Sequence, residues 1–292
     1  MSLSSPSTLK ETGWNGLQFQ CPQTWDVIVS GEHHLLFEEH FTPVLELRWH
    51  AATNADISSV KTILHNLRKD NSLIPAKTLP TAWLNVSHEY DFYLLLEKTE
   101  KKPRAALLNC KTCGTSLLFY FFEALPPTHT AITTLFSSLC CHKKGTGKTV
   151  WAIQDFRFSL TDQYQLDTYN FGAGLTRISF THGSLILHIC RLAPASQRLQ
   201  ATSLVQLLMI LGDVEIDEQE IVMTENMISH SKHPSIFKQI LDRFKRKLPF
   251  HEMILRHHHE CDRLTGLFIF DKKPIPETCA EEILDSYEIF PA

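Results

Sequence analysis

The order of hydrophobic segments in the first half of this chain recurs in its second half. GLQFQCPQTWDV, from Gly16 to Val27, is echoed by DFRFSLTDQYQL, from Asp155 to Leu166, with Phe19 against Phe158 and Trp25 against Tyr164. A helical stripe of Val60, Ile63, Leu64 and Leu67 returns as Leu204, Leu207, Leu208 and Leu211 at a constant spacing of 144 residues. Near the end of each half, LLFYFF (Leu117 to Phe122) meets GLFIFD (Gly266 to Asp271), and Pro126 meets Pro276 at a spacing grown to 150. Insertions therefore lie between the matches. A repeated unit means one fold solved twice, not one large fold. The pattern predicts a polar N-terminal tail over 1–12, a first repeat over 13–141, a linker over 142–148 around Gly145 and Gly147, and a second repeat over 149–292.

At 292 residues and 43% hydrophobic, the chain has the material for two ordinary cores. Its formal charge of −4 supplies no overall field to draw nucleic acid or an anionic membrane, so neither is expected as a partner. MSLSSPSTLKETG at the start is polar, and no later apolar run reaches the roughly 18 residues of a membrane span. The expectation is a cytoplasmic protein with a protein partner, its oligomeric state left open. Eight cysteines without the density or spacing of a small secreted scaffold point to reduced thiols, a metal site or simple burial before a disulfide framework.

Leu17 to Cys21 alternates apolar and polar residues, Leu35 to Phe37 is a short apolar run, and VLELRW (Val44 to Trp49) keeps its apolar residues on one face. These read as half-buried antiparallel strands. Asn54 and Asp56 are candidate caps for a helix ending near Lys69. Ala105 to Asn109 and Leu117 to Phe122 read as strands joined by the turn CKTCGTS, and Pro126-Pro127-Thr128 opens a closing helix through Leu139. The segment with Phe92, Leu95 and Leu96 is left open between strand and helix. In register it matches Phe237, inside an amphipathic helix from Ile236 to Leu248 with a basic outer face. Six large apolar residues on that helix favour core packing over binding of RNA or a membrane.

Phe19, Pro22 and Trp25, an aromatic strand running into Cys-Pro and a Trp, followed by LLFEEH and LELRW, carry a resemblance. They resemble the opening of the PsbP-like superfamily, which includes DcrB-like bacterial proteins, chaperones of type VI secretion effectors and a Ran-binding import factor. Phe158, Leu160 and Tyr164 echo the pattern without its Pro and Trp. The resemblance implies an α+β fold of two tandem α/β sandwich domains, each a mainly antiparallel sheet covered by helices. It implies binding proteins without a shared catalytic site, so it transfers no functional residues.

HKKGTGKT (His142 to Thr149) ends like a phosphate-binding loop, but the order is reversed, with a helix before it and a strand after it. Cys110 and Cys113 form a C-x-x-C-G turn that can aim two thiolates at one zinc, half of what a structural site needs. The corresponding second-half turn offers His257, His258, His259 and Cys261, so a mixed Cys/His site between the equivalent turns is one expectation, against an incidental CxxC and a polar His run. Cys140-Cys141-His142, at a helix end, supplies further ligand types, although such cysteines are more often buried apolar residues. Cys21, Cys190 and Cys279 read as core. With no nucleophile elbow and no HExxH, no catalytic residue is assigned. Sequence alone therefore points to a non-catalytic binding, adaptor or chaperone protein built as a pseudo-dimer, then to a zinc-binding protein, and third to an enzyme.

Overall fold

The computed structural model describes residues 8–51, 57–69, 73–122, 129–142, 147–172, 174–216, 220–232, 234 and 248–290. It divides into two compact units, Met1–Gln154 and Asp155–Ala292. The capping residues Asn54 and Asp56, the Pro126-Pro127-Thr128 start and the basic stretch 236–247 lie outside the described residues.

In the first unit, β1 (Leu9–Trp14) and β2 (Leu17–Pro22) form a hairpin in register from Leu9↔Pro22 to Trp14↔Leu17. Its two-residue turn is Asn15-Gly16, both at positive φ, the conformation that matches the twist of paired strands. The sheet that follows contains β3 (Trp25–Gly31), β4 (His34–Glu39), β5 (Thr42–His50), β6 (Leu73–Pro75), β7 (Tyr90–Glu97), β8 (Pro103–Cys110) and β9 (Ser116–Phe121), in the order β3-β4-β5-β9-β8-β7-β6. Between β5 and β6 runs α1 (Ile57–Lys69), and after β9 comes α2 (Thr130–Ser138). The chain thus crosses one face through α1 and returns as a meander. Side chains alternate across a strand, so cross-strand partners share a face. Leu64 of α1 packs with Leu95, Ala105 and Leu107 on one face. On the other face Phe136 of α2 meets Phe92 and Phe119, and Trp83, from a 3-10 helix over Thr81–His88, closes against Phe92, Phe121 and Phe136.

The second unit holds β11 (Phe156–Thr161) and a sheet of β12 (Gln165–Gly172), β13 (Leu175–His182), β14 (Leu185–Leu192), β15 (Ile221–Met223), β16 (Met227–Lys232), β17 (Phe250–His258) and β18 (Arg263–Asp271). Its order is β12-β13-β14-β18-β17-β16-β15. Renumbered from its first strand, this is the order of the first sheet. Helices α3 (Ala195–Ala201) and α4 (Leu204–Gly212) stand between β14 and β15, where α1 stands between β5 and β6, and α5 (Glu277–Asp285) follows β18 as α2 follows β9. Ser203 and Gln206 form a capping box at the start of α4, satisfying orphan amides of its first turn. Leu207, Leu208 and Leu211 then enter a core with Met253, Leu255 and Phe268. A short β19 (Glu288–Ile289) pairs with β11. Every strand pairing described is antiparallel, giving a sheet-rich α+β protein.

Three expectations about boundaries change. Leu9 to Thr12, expected as polar tail, belong to β1, where their polar side chains are engaged: Thr12 Oγ1 lies 3.4 Å from Cys21 Sγ, and Gln18 donates to Glu11. The expected linker 142–148 is not a bare connection, because Lys148 already begins β10 (Lys148–Ile153). β10 pairs with β1 at Gly13↔Ala152, so the compact division falls after Gln154. Gly13 permits that approach, since a Cβ there would sit 2.6 Å from Val150 O. Gly147-Lys148-Thr149 therefore feeds a strand, which removes the phosphate-loop reading. The Phe92 segment is β7, and its place in the sheet order matches β16; the register match with Phe237 does not hold because the chain carries extra residues between β16 and β17.

Trp14, Phe19, Trp25, Leu47 and Leu64 are buried as expected, and so are Phe156, Phe158, Ile178, Leu207, Leu208, Leu211 and Phe268. Ile63, Leu67, Leu118 and Tyr120 pack at the edge of the α1 core, and Phe270 at the edge of the α4 core. No described helix is long and apolar enough to cross a membrane.

Candidate metal centre

Cys110 is the last residue of β8, on the face that carries Ala106 and Leu108, and its cross-strand partner is Tyr90 of β7. Strand alternation therefore places it on the α2 side. The chain then turns tightly: Gly114 N donates to Cys110 O at 2.9 Å, Cys110 N donates to Thr115 O at 2.9 Å, and Gly114 takes φ +72. This turn turns Cys113 back beside Cys110.

The second arm arrives from α2. His129 caps that helix by accepting from Ala131 N, and the helix stops at Leu139, which is buried. Cys140 then forms an antiparallel bridge with Gln18 of β2, with hydrogen bonds of 2.9 and 2.8 Å in the two directions. Pinned there, the chain presents Cys141 and His142 to the CxxC turn. Cys140 itself turns aside, its thiol donating to His142 O at 2.9 Å.

Four ligand atoms, from Cys110, Cys113, Cys141 and His142, lie within 4.8 Å of one another. Cys113 Sγ is 3.6 Å from Cys141 Sγ, Cys110 Sγ is 3.4 Å from His142 Nδ1, and Cys141 Sγ is 3.9 Å from the same nitrogen. Tetrahedral zinc, with Zn–S of about 2.3 Å and Zn–N of about 2.0 Å, requires S···S edges of about 3.8 Å and S···N edges of about 3.5 Å. One S···S and one S···N separation fall within about 0.2 Å of those edges, and the remaining ligand atoms lie close enough to adjust to them. Three thiols and one imidazole form a closed donor set with no position left for water, the pattern of a structural site.

Around the ligands, Tyr90 Oη lies 3.5 Å from Cys141 Sγ and donates to Leu139 O at 3.2 Å, which ties the second arm to the sheet. Thr115 Oγ1 stands 3.1 Å from Cys113 Sγ. Burial pushes the Cys141 thiol well above the ordinary thiol range. At Cys113 burial acts the same way, but hydrogen bonds from Thr115 and the neighbouring cysteines outweigh it and hold the thiol below that range. Such partners orient and tune metal ligands.

The other expected ligands lie in the second unit, at the β17–β18 turn. Among the described residues, His257, His258, His259 and Cys261 form no ligand group. Their side chains engage local neighbours. His257 and His259 pack ring to ring with centroids 3.8 Å apart, His258 Nε2 lies 3.0 Å from Thr265 Oγ1, His259 Nε2 lies 2.8 Å from Asn226 Oδ1, and the Cys261 thiol donates to His258 O at 3.7 Å. Within the first unit, α2 doubles back and delivers Cys141 and His142 to the turn that carries Cys110 and Cys113. A C-x-x-C followed by a Cys-His doublet in the same half was the signal available in the sequence. Cys21 and Cys190 are buried, as expected for core residues, and Cys279 is half-buried with its sulfur 3.4 Å from Tyr164 Oη.

A second polar cluster lies inside the second unit. His251 Nε2 is 3.1 Å from His230 Nδ1, and His230 Nε2 is 3.2 Å from Glu220. Burial, with His230 and Lys232 nearby, lowers His251 to about 4, and burial with Arg177 lowers His188 to about 4. Asp155 is held between Arg263, whose Nε donates to it at 2.7 Å, and Arg191.

No family model matches the chain, and no curated protein matches it. Solved structures of MucB align over most of its length. The crystal structure of MucB is 11% identical, with 94% of this chain and 81% of that one covered, at a TM-score of 0.20. MucB in complex with MucA(peri) is 10% identical over 99% and 90%, at 0.21, and the Pseudomonas aeruginosa MucA/MucB complex is 10% identical over 94% and 83%, at 0.24. Similarity at these TM-scores carries no argument about fold or function.

Proposed function

We propose that this is a non-catalytic, zinc-binding protein in which one zinc on Cys110, Cys113, Cys141 and His142 fixes the end of the α2 layer to the β8–β9 turn. The reading rests on the agreement between the S···S and S···N separations and the edges of a zinc tetrahedron. Zinc there would tie together a hairpin tip and a segment 28 residues further along the chain.

The two sheets share one strand order, which supports a tandem duplication in the manner of the PsbP-like resemblance. On this reading the units serve as a binding or assembly scaffold for a protein partner in the cytoplasm, and the zinc is structural. Metal analysis of full-length protein purified without chelator tests the metal part. One zinc per chain is expected, lost from Cys110→Ser/Cys113→Ser and from Cys141→Ser, and retained by His257→Ala/His259→Ala. Metal-free wild-type protein removes the reading.

A further inference from the structure

Within the four-ligand group the sulfurs are not equivalent. Cys110 is buried at 1% exposure and stands against His142 Nδ1, whereas Cys113 and Cys141 are both half-buried and face each other at 3.6 Å. A disulfide needs about 2.05 Å, so those two sulfurs must close by about 1.5 Å. They also belong to different arms of the site. A bond between them would join the same two segments that the metal joins.

We propose that Cys113 and Cys141 are a paired oxidation site for hydrogen peroxide, and that their disulfide replaces zinc as the tie between the β8–β9 turn and the segment after α2. This rests on the zinc reading for what is displaced, but not for the disulfide itself. Cys113, half-buried on the turn, attacks a peroxide oxygen. The O–O bond breaks, the leaving hydroxide takes a proton to become water, and Cys113 becomes a sulfenic acid. The Cys141 sulfur then attacks that sulfur, the S–S bond forms, the S–O bond breaks, and the departing hydroxide becomes a second water, its proton coming from the Cys141 thiol in metal-free protein and from solvent where Cys141 starts as a metal-bound thiolate. Two thiols lose two electrons, and the peroxide gains them. With two of the four ligands consumed, a zinc ion would keep only Cys110 and His142 and would be released.

Cys140 is the built-in control. It lies beside the group in sequence, but its thiol is turned to His142 O.

The test uses full-length protein treated with hydrogen peroxide beside a colorimetric zinc chelator, followed by non-reducing peptide mapping. Expected is a Cys113–Cys141 cross-link that appears in step with zinc release, is absent from Cys113→Ser and from Cys141→Ser, and persists in Cys140→Ser. Reduced protein stripped of metal beforehand should form the same cross-link faster, because the thiols are no longer metal-bound. A Cys110–Cys113 cross-link, or sulfinic acid at Cys113 without any cross-link, overturns the proposal; wild-type mapping alone reads both, whether or not a serine variant folds. Protein that purifies without metal yet maps a Cys113–Cys141 cross-link would sink the zinc reading and leave the oxidation site standing.

Discussion

The β8–β9 turn and the β17–β18 turn occupy the same place in two sheets of identical strand order, and they are held by different chemistry. In the first unit, three thiols and an imidazole from the turn and the segment after α2 converge with ligand spacing. In the second unit the turn is fixed by ordinary hydrogen bonds. Asp262 adopts the left-handed conformation and accepts from Ser196 N at 2.6 Å and from Ser196 Oγ at 2.9 Å at the start of α3. Arg263 donates to Cys261 O at 2.9 Å and to Asp262 O at 3.2 Å, and its Nε reaches Asp155. A hairpin tip that must be anchored to a neighbouring segment can use a metal or a charged hydrogen-bond network; the second half uses the network, and the first carries a ligand set that could hold a metal.

The largest effect expected from that contrast is on the network. Asp155→Ala leaves Arg191 and Arg263 without their shared carboxylate in a mostly buried setting, and breaking such a pair costs about 3 to 5 kcal/mol. Denaturant unfolding should show this loss with the zinc content unchanged. An unchanged midpoint would mean that the second turn is held by something other than Asp155.

Stripping the metal should cost the first unit somewhat less, about 2.7 kcal/mol if free zinc had stood 100-fold above its dissociation constant. A thermal melt with and without chelator reads the difference, and Asp155→Ala should lose stability additively with it, since the two anchors share no partner. Equal melts with and without chelator, in protein that does carry zinc, would make the site dispensable for folding.

Acid distinguishes the anchors further. His188 and His251 have folded values near 4, below the ordinary 6.5 of histidine, so between those values the unfolded chain binds more protons than the folded one. Stability therefore rises with pH through that window and is lost as pH falls from about 6.5 to about 4. That loss should survive in chelator-treated protein, whereas zinc release in acid comes from protonation of the ligands and is absent once metal is removed. His251→Gln should flatten part of the pH dependence, and a curve unaltered by both His251→Gln and His188→Gln would break the assignment.

The smallest effect belongs to the residues that looked most like ligands. His257→Ala/His259→Ala should shift stability by no more than about 0.5 kcal/mol, as surface substitutions do, and leave metal content alone. Loss of zinc in that variant would restore the second turn as a metal site.

Much of the architecture was legible without coordinates. Period-two alternation in Leu17 to Cys21 and Val44 to Trp49, and the stripe of Ile63, Leu64 and Leu67 returning as Leu207, Leu208 and Leu211, gave strands, helices and their repetition because burial of one face imposes its period on the chain. Polar strands were harder to see. Leu9 to Thr12 look like tail in sequence, yet they pair because β2 supplies partners for their backbone and side chains. Phe92 and Phe237 shared a register that carries no meaning once extra residues between β16 and β17 shift the alignment.

The site divides in the same way. Sequence by itself determined that two thiols sit on one turn, since C-x-x-C-G between two strands leaves them little choice, and that Cys141 and His142 follow the closing helix. Which ligands meet was decided only by tertiary structure. α2 lies back across the sheet on Phe92, Phe119 and Trp83, and the bridge from Cys140 to Gln18 stops it at the height of Cys110. Metal coordination depends on distances of a few tenths of an ångström between residues far apart in the chain, and a local pattern carries no information about where a helix returns.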